Sequence, residues 1–307
     1  MSPDDRWIVV AGPTAAGKTE VALRLSERFG GEIVNADSRQ VYRHMDVGTA
    51  KPTLAERSIV PHHLFDVVDP DEHFDAACYR DHGRTALRGI WSRGRLPIVV
   101  GGTGLYLRAL SRGLFRGPGA VAALRRVLEQ LEEDHPGMLA RWCRRVDPPI
   151  AARLHPHDRV RLIRALEVAI TTGEPLSRHQ SRHSFGERLG TVLEIVLHPG
   201  DEVLARKIDA RSRGMLEGGL LDEVRSLRAR GYGPELRVLR SIGYREAGRV
   251  LDGEWDRDQA ITELTRSTWR FARRQLAWFR GEREAIWIDP VDSDRVAREV
   301  EAFLARG

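Results

Sequence analysis

The stretch RWIVVAGPTAAGKTEVALRLSERF, residues 6–29, constrains this chain more than any other. A short apolar run leads into GPTAAGKT, which meets the phosphate-loop pattern G-x-x-x-x-G-K-[ST] with Gly12, Gly17, Lys18 and Thr19 in the fixed positions. Beyond it, Val21, Leu23, Leu25 and Phe29 give a helix its apolar residues. The stretch therefore reads as a buried strand, a glycine turn and a helix. Gly12, Pro13, Thr14, Ala15, Ala16, Gly17, Lys18 and Thr19 form a cradle whose backbone amides point inward at a helix N-terminus and can hold two phosphate groups. Lys18 adds a point charge, and the Thr19 hydroxyl suits coordination of Mg²⁺. The motif is one that binds ATP in many proteins, but alone it leaves open whether the phosphates belong to ATP or to something else.

Two further stretches repeat the strand-to-turn pattern. GGEIVNADS reads as a second strand ending at Asp37, and RLPIVVGGTGLYLRAL as a third that runs into GGTG and another helix. Strands alternating with helices imply a mainly parallel sheet with helices on both faces. From about 116 to 190 strand patterns vanish, and AALRRVLEQLEED and RVRLIRALEVAITTG read as amphipathic helices. TVLEIVLHPG returns to the sheet, and the final third reads as helical. The expected fold is α/β: a core of residues 1–115 and 191–307 holding the phosphate loop in a mainly parallel sheet with flanking helices, plus a helical insertion domain over 116–190. Ligands of such sheets sit beyond the carboxyl ends of the strands. That rule gathers the 12–19 loop, Asp37 and Thr103 at one rim.

Composition narrows the class. With 307 residues, 41% of them apolar, the chain can bury a good core and is not disordered. Its longest uncharged apolar stretch, LPIVVGGTGLYL, is too short for a bilayer, and MSPDDRWIVV does not read as a secretory signal, so a membrane is not expected. Two cysteines, Cys78 and Cys143, make a disulfide framework or zinc cluster implausible and fit a reducing cytoplasm. A net charge of +5 permits an anionic partner without demanding one.

At the rim, Asp37 reads either as a cap of the next helix or as a carboxylate able to bind Mg²⁺ or accept a proton. Ser38, Arg39 and Gln40 beside it can hydrogen-bond a substrate. GGTGLY reads as a tight turn, and Thr103 within it is well placed to touch a phosphate or an amine. No N-K-x-D motif reads a guanine base, and PIVV is followed by Gly101 and Gly102 rather than by Asp, so a GTPase or motor loses ground. A small-molecule kinase with Asp37 as base stays open.

Two segments favour a polyanion. Residues 141–164 carry seven arginines against Asp147 and Asp158, and residues 266–280 interleave five arginines with Trp269, Phe271, Trp278 and Phe279. Each alone fits an amphipathic helix with a solvated face. Together, beside a phosphate loop, they suit a nucleic acid whose unstacked bases meet aromatic rings.

GPTAAGKT, NADSRQVYRHMDVGTAKP, PHHLFDVVDP, VVGGTGLYLRAL, RLIRALEV, GLLDEV, SIGYREA and ARRQLAWFR occur in an order that closely resembles the tRNA dimethylallyltransferases, also called tRNA isopentenyltransferases. The resemblance implies that the loop binds the diphosphate of dimethylallyl diphosphate, not ATP. The five-carbon group would pass to the exocyclic amine of the adenosine just 3′ of the anticodon, drawn out of the anticodon stem-loop of tRNA. It implies Asp37 as base, Thr103 at the reacting region and Arg211 on the diphosphate, with Lys18 and Mg²⁺ on the leaving group. It also implies tRNA contacts by Asp37, Ser38, Arg39, Gln40 and Thr103, by Val160, Arg161, Leu162, Ile163 and Arg164, and by Arg125. Ala277 and Arg213 stand where the family often has Thr and Asp. The lack of a Cys/His-rich C-terminal extension resembles the bacterial form, expected to act as a monomer. A related enzyme acting on free adenylate is the runner-up.

Overall fold

The computed structural model describes residues 5–115, 117–183 and 186–306; the outermost N-terminal residues 1–4 and the expected domain boundary at Arg116 lie outside them. In chain order the elements are β1 (Arg6–Ala11), α1 (Lys18–Phe29), β2 (Gly31–Asn35), α2 (Leu54–Ile59), β3 (His62–His63), α3 (Ala76–Ser92), β4 (Leu96–Gly101) and α4 (Gly104–Arg112). Five helices follow: α5 (Ala122–Asp134), α6 (Met138–Val146), α7 (Pro148–Ala151), α8 (Arg159–Thr172) and α9 (Leu176–His183). The chain continues through β5 (Thr191–Leu197), α10 (Asp201–Glu217), α11 (Leu220–Ala229), α12 (Tyr244–Leu251), α13 (Arg257–Phe279), β6 (Ile286–Ile288) and α14 (Ser293–Ala305). It divides into two compact units, residues 1–111 with 189–307 and residues 112–188.

In the first unit the described strands form one sheet in the order β3-β2-β4-β1-β5-β6, every pair parallel. Buried on both faces, β1 is almost continuously apolar, as parallel strands are. Its side chains still alternate: Trp7 and Val9 face one core, with Tyr79, Leu87 and Tyr106, while Ile8 and Val10 face another, with Val21, Leu25 and Val296. Trp7, wholly buried, donates its indole N–H to Leu189 O at 2.7 Å, so the largest apolar group of the core leaves no polar atom unpaired.

Three details depart from the sequence reading. β2 stops at Asn35, not Asp37. The Asn35 amide turns the chain there: Oδ1 accepts Asp37 N–H at 2.9 Å and Nδ2 donates to Leu64 O at 2.9 Å. The final third is not all helical, because Ile286–Ile288 adds β6 beside β5. His62–His63 adds β3 at the other edge. Both strands are too short to show a period.

The second unit is helical and has its own core of Leu128, Leu139, Cys143, Ile150, Leu162, Ile163 and Leu166. Glu167, with no exposed surface, lies inside it. Its carboxylate accepts Arg125 Nε and Nη2 at 2.8 Å each, Arg164 Nη1 at 2.6 Å and the Val121 amide at 2.8 Å. Burial alone would raise this carboxyl; the bonds from Arg125 and Arg164 outweigh it and hold it at about 2. The residues expected to contact RNA lie in different surroundings. Leu162 and Ile163 are 1% and 6% exposed and belong to the core, and Arg125 and Arg164 are engaged with Glu167. Only Val160 and Arg161 of that segment stand well out in solvent.

Removing the Arg125 guanidinium leaves a buried carboxylate short of two donors. Arg125→Ala is expected to lower stability by about 2 kcal/mol, the scale of hydrogen bonds to a charged group. Arg161→Ala, whose partner Asp158 is a surface cap, should change it by less than about 0.5 kcal/mol. Denaturant melts of the two variants compare them directly; equal losses would show that Glu167 does not depend on Arg125.

Candidate functional site

The strand order places β4 between β2 and β1. Neighbouring strands lie about 4.8 Å apart, so the turns after these three strands are forced together at the carboxyl rim. Those turns carry the phosphate loop, Asp37 and Thr103.

The loop after β1 is shaped by close approach. Gly12 has φ 144°, and a Cβ there would stand 2.5 Å from Leu197 O of β5. Ala15 adopts φ 64°, a left-handed conformation rare for alanine. Lys18 folds back so that Nζ donates to Pro13 O at 2.7 Å, closing the loop on itself. Its ammonium lies near Asp37 and Arg211. Desolvation pulls it down to about 8, which Asp37 opposes and Arg211 reinforces. As a residue Lys18 is half-buried.

Asp37 is held by its own turn, with Oδ1 accepting Arg39 N–H at 2.8 Å. Its other carboxylate oxygen has no hydrogen-bond donor among the described residues. The Asp37 turn is tied to the one after β4: Thr103 Oγ1 accepts Ser38 N–H at 3.0 Å, and Thr103 N–H donates to Ala36 O at 3.2 Å.

Two cavities meet here. One, of about 400 Å³, is lined by the loop from Thr14 to Thr19 with Gln40, Lys207 and Gln275. The other, of about 290 Å³, has apolar walls at Met215, Ile242, Leu264 and Phe271, with Arg39, Arg240 and Arg274 around them. Thr14, Asp37, Thr49 and Arg211 line both. Burial lowers the Arg211 guanidinium from its ordinary value, while Asp37 raises it. None of Arg39, Arg240 and Arg274 has an acidic partner among the described residues. The first chamber can hold a polyphosphate, and the second an apolar or planar group ringed by positive charge.

Of the residues expected at the site, Thr14 to Thr19, Asp37, Ser38, Arg39, Gln40 and Arg211 line one or both cavities. Gly12, Pro13 and Thr103 line neither. Gln40 directs Nε2 to Thr49 O and Ala50 O, both at 3.1 Å, so it braces the 49–50 turn and keeps only Oε1 for a ligand. Arg211 Nη2 donates to the same Thr49 O at 3.3 Å.

Sequence reasoning missed three side chains. Lys207 lies one helical turn before Arg211 on α10, a spacing that puts both on one face. Glu223 accepts the amides of Asp46, Val47 and Gly48 at 2.8, 2.7 and 3.0 Å and the Tyr244 hydroxyl at 2.5 Å, fixing the turn that carries Thr49. Gln275 bridges two of the rim turns. The spacing of Lys207 from Arg211 was visible in the sequence; the backbone partners of the other two were not.

The family profile described as IPP transferase matches residues 40–282, and that described as isopentenyl transferase matches residues 6–60. The tRNA dimethylallyltransferase of Syntrophobacter fumaroxidans is 50% identical, over 95% of this chain and 87% of its own length. The crystal structure of the full-length tRNA isopentenylpyrophosphate transferase of Bacillus halodurans is 37% identical, with a TM-score of 0.71 over 98% of this chain and 96% of that one. A eukaryotic dimethylallyltransferase, solved acting on tRNA, is 28% identical with a TM-score of 0.80, covering 98% of this chain and 79% of that one.

The lowered Lys18 gives the cradle a pH signature. Lys18 is cationic below about 8 and loses its proton as pH rises through that value. Affinity of the free protein for inorganic diphosphate, relative to Lys18→Arg, should therefore fall roughly tenfold between about pH 7 and 9. Calorimetric titration across that range reads the ratio, and a flat profile would remove Lys18 from diphosphate binding.

Proposed function

This chain belongs to the IPP transferase family, the tRNA dimethylallyltransferases, and we propose on that footing that it moves a dimethylallyl group from dimethylallyl diphosphate to the N6 amine of the adenosine 3′-adjacent to the anticodon in tRNA. The observation that carries the reading is the pair of cavities joined at Thr14, Asp37, Thr49 and Arg211. A donor with its diphosphate in the first chamber directs its allylic carbon toward the second, where an extruded base finds apolar walls and arginines with no acidic partner among the described residues.

Breaking the allylic C–O bond leaves its electron pair on the diphosphate. Loop amides, Lys18, Arg211 and Lys207 face that charge, and stabilisation fixed in advance of charge development is usually the largest catalytic term. The adenine amine is a weak nucleophile, because its lone pair is delocalised into the ring. As its C–N bond forms, its proton passes to the open oxygen of Asp37, help worth ~10²–10⁴-fold. Thr103 acts from behind, holding the Ser38 amide and so the Asp37 turn, with its hydroxyl hydrogen left for a further acceptor.

The donor set fits a magnesium ion. The described residues hold no cluster of three His, Cys, Asp or Glu side chains able to cage a metal. Mg²⁺ bound chiefly through phosphate oxygens needs no more than one or two protein oxygens, and the Thr19 hydroxyl supplies one. The ion would neutralise charge on the departing diphosphate.

Among the described residues no helix is long and apolar enough to cross a membrane. The reading carries a cytoplasmic location, where tRNA is found, and action as a monomer. In the second unit, exposed Val160 and Arg161 and the arginines of α6 are the groups offered to RNA.

Incubation with Mg²⁺, labelled dimethylallyl diphosphate and unmodified bulk tRNA should place label on adenosine after digestion of the RNA. Label on added AMP instead would point to the free-nucleotide enzyme, and transfer from γ-labelled ATP to a kinase. Asp37→Ala is expected to keep diphosphate binding within about threefold and to lose ~10²–10⁴-fold in kcat. Near-normal turnover would remove Asp37 from the base role.

A further inference from the structure

One side chain on α13 touches two of the three rim turns at once. Gln275 is 6% exposed. Its Oε1 accepts the Thr14 amide at 2.9 Å, and its Nε2 donates to Gly102 O at 2.8 Å. The fit is close: a Cβ on Gly102 would stand 2.1 Å from Gln275 Nε2 and 3.1 Å from Gly12 O. Gly102 is therefore a glycine because of what packs on it. The next residue, Thr103, holds Ala36 O and the Ser38 amide, so whatever fixes Gly102 also fixes the turn bearing Asp37.

An apolar side chain of the same length would fill the space as well. It would leave the Thr14 N–H and the Gly102 carbonyl without partners. Only a group that accepts on one side and donates on the other satisfies both turns, and a neutral primary amide does so without placing a charge beside the phosphate cradle.

We propose that Gln275 is a positioning residue that sets the separation between the diphosphate cradle and the Asp37–Thr103 turns, and thereby the distance between the allylic carbon and the attacking amine. The proposal rests on the reading of the chain as a prenyltransferase. Each substrate keeps its own contacts when this tie is cut; what changes is their alignment. A misplacement of about 1 Å can cost ~10²-fold in rate. The loss therefore belongs in kcat and not in the binding of either substrate alone.

Gln275→Met, similar in length and without strong hydrogen bonds, is expected to lower kcat for tRNA prenylation by ~10–100-fold. The dissociation constants of inorganic diphosphate and of tRNA, each measured without the other, should move by less than about threefold. Gln275→Glu adds a signature that a packing role would not give. As a carboxylate the introduced group repels Gly102 O; protonated, it donates to that oxygen as the amide did. Its kcat relative to wild type should therefore rise as pH is lowered from about 8 to about 6. Unchanged kcat in either variant, a diphosphate affinity that weakens in step with kcat/KM, or a pH-independent ratio for Gln275→Glu would overturn the proposal. If Gln275→Met does not fold, the pH ratio of Gln275→Glu decides alone. A wild type that fails to prenylate tRNA defeats both this role and the function it rests on, whereas an active wild type with indifferent variants defeats only the role of Gln275.

Discussion

Parallel strands hydrogen-bonded about 4.8 Å apart leave their carboxyl ends at fixed separations, and in the order β2-β4-β1 those ends carry Asp37, Thr103 and the phosphate loop. No side chain has to be reached from a distance. What remains is to lock three short turns in register beyond the last sheet hydrogen bonds, where the backbone would otherwise be free. Asn35 stops β2, Thr103 holds the Asp37 turn, Gln275 ties the loop to Gly102, and Glu223 fastens the 46–48 turn that supports Arg211 through Thr49. Each lock joins a side chain to backbone groups, so each depends on one residue and on the path of a chain segment that can otherwise vary.

Electrostatics separates the two units' arginines by use. In the helical unit Arg125 and Arg164 meet a buried carboxylate that is fully supplied with donors. Around the second cavity Arg39, Arg240 and Arg274 have no acid to meet among the described residues. In the first cavity burial pulls Lys18 and Arg211 down from their ordinary values. Cations enclosed near one another are unfavourable until an anion arrives. A site built this way favours a polyanionic ligand through repulsion relieved on binding as well as through attraction.

The sheet and its rim were legible because the signals are local. A buried run before a phosphate-loop motif names β1 and α1, and the rule that ligands sit at strand carboxyl ends brings Asp37 and Thr103 to them. The arginines were harder, since a guanidinium facing RNA and one facing Glu167 look alike in sequence. Only the burial of Glu167, 42 residues from Arg125, tells them apart. Leu162 and Ile163 show the same limit from the other side: a basic helix brings its own apolar face to its own core. Glu223 and Gln275 escaped because their partners are amides and carbonyls, which every residue has and no sequence pattern marks. β3 and β6, of two and three residues, are too short for a period and exist only by pairing with a strand already in place.

The phosphate loop by itself does not choose between a nucleotide and a prenyl diphosphate, because both present two linked phosphates to the same amides. The choice falls to what lies past the cradle. Here that is a chamber with Met215, Ile242, Leu264 and Phe271 in its walls and Asp37 at its mouth. Such walls suit a short hydrocarbon and the face of a base better than they suit the hydroxyls of a ribose. An allylic group that ionised before its acceptor arrived would be captured by water. With Asp37 and Arg211 lining both chambers, the carboxylate proposed to take the proton and a cation proposed to stabilise the leaving diphosphate stand at the same junction. Bond breaking on one side and proton removal on the other thus fall within reach of a single arrangement of side chains, and the arrangement is complete only when both chambers are filled.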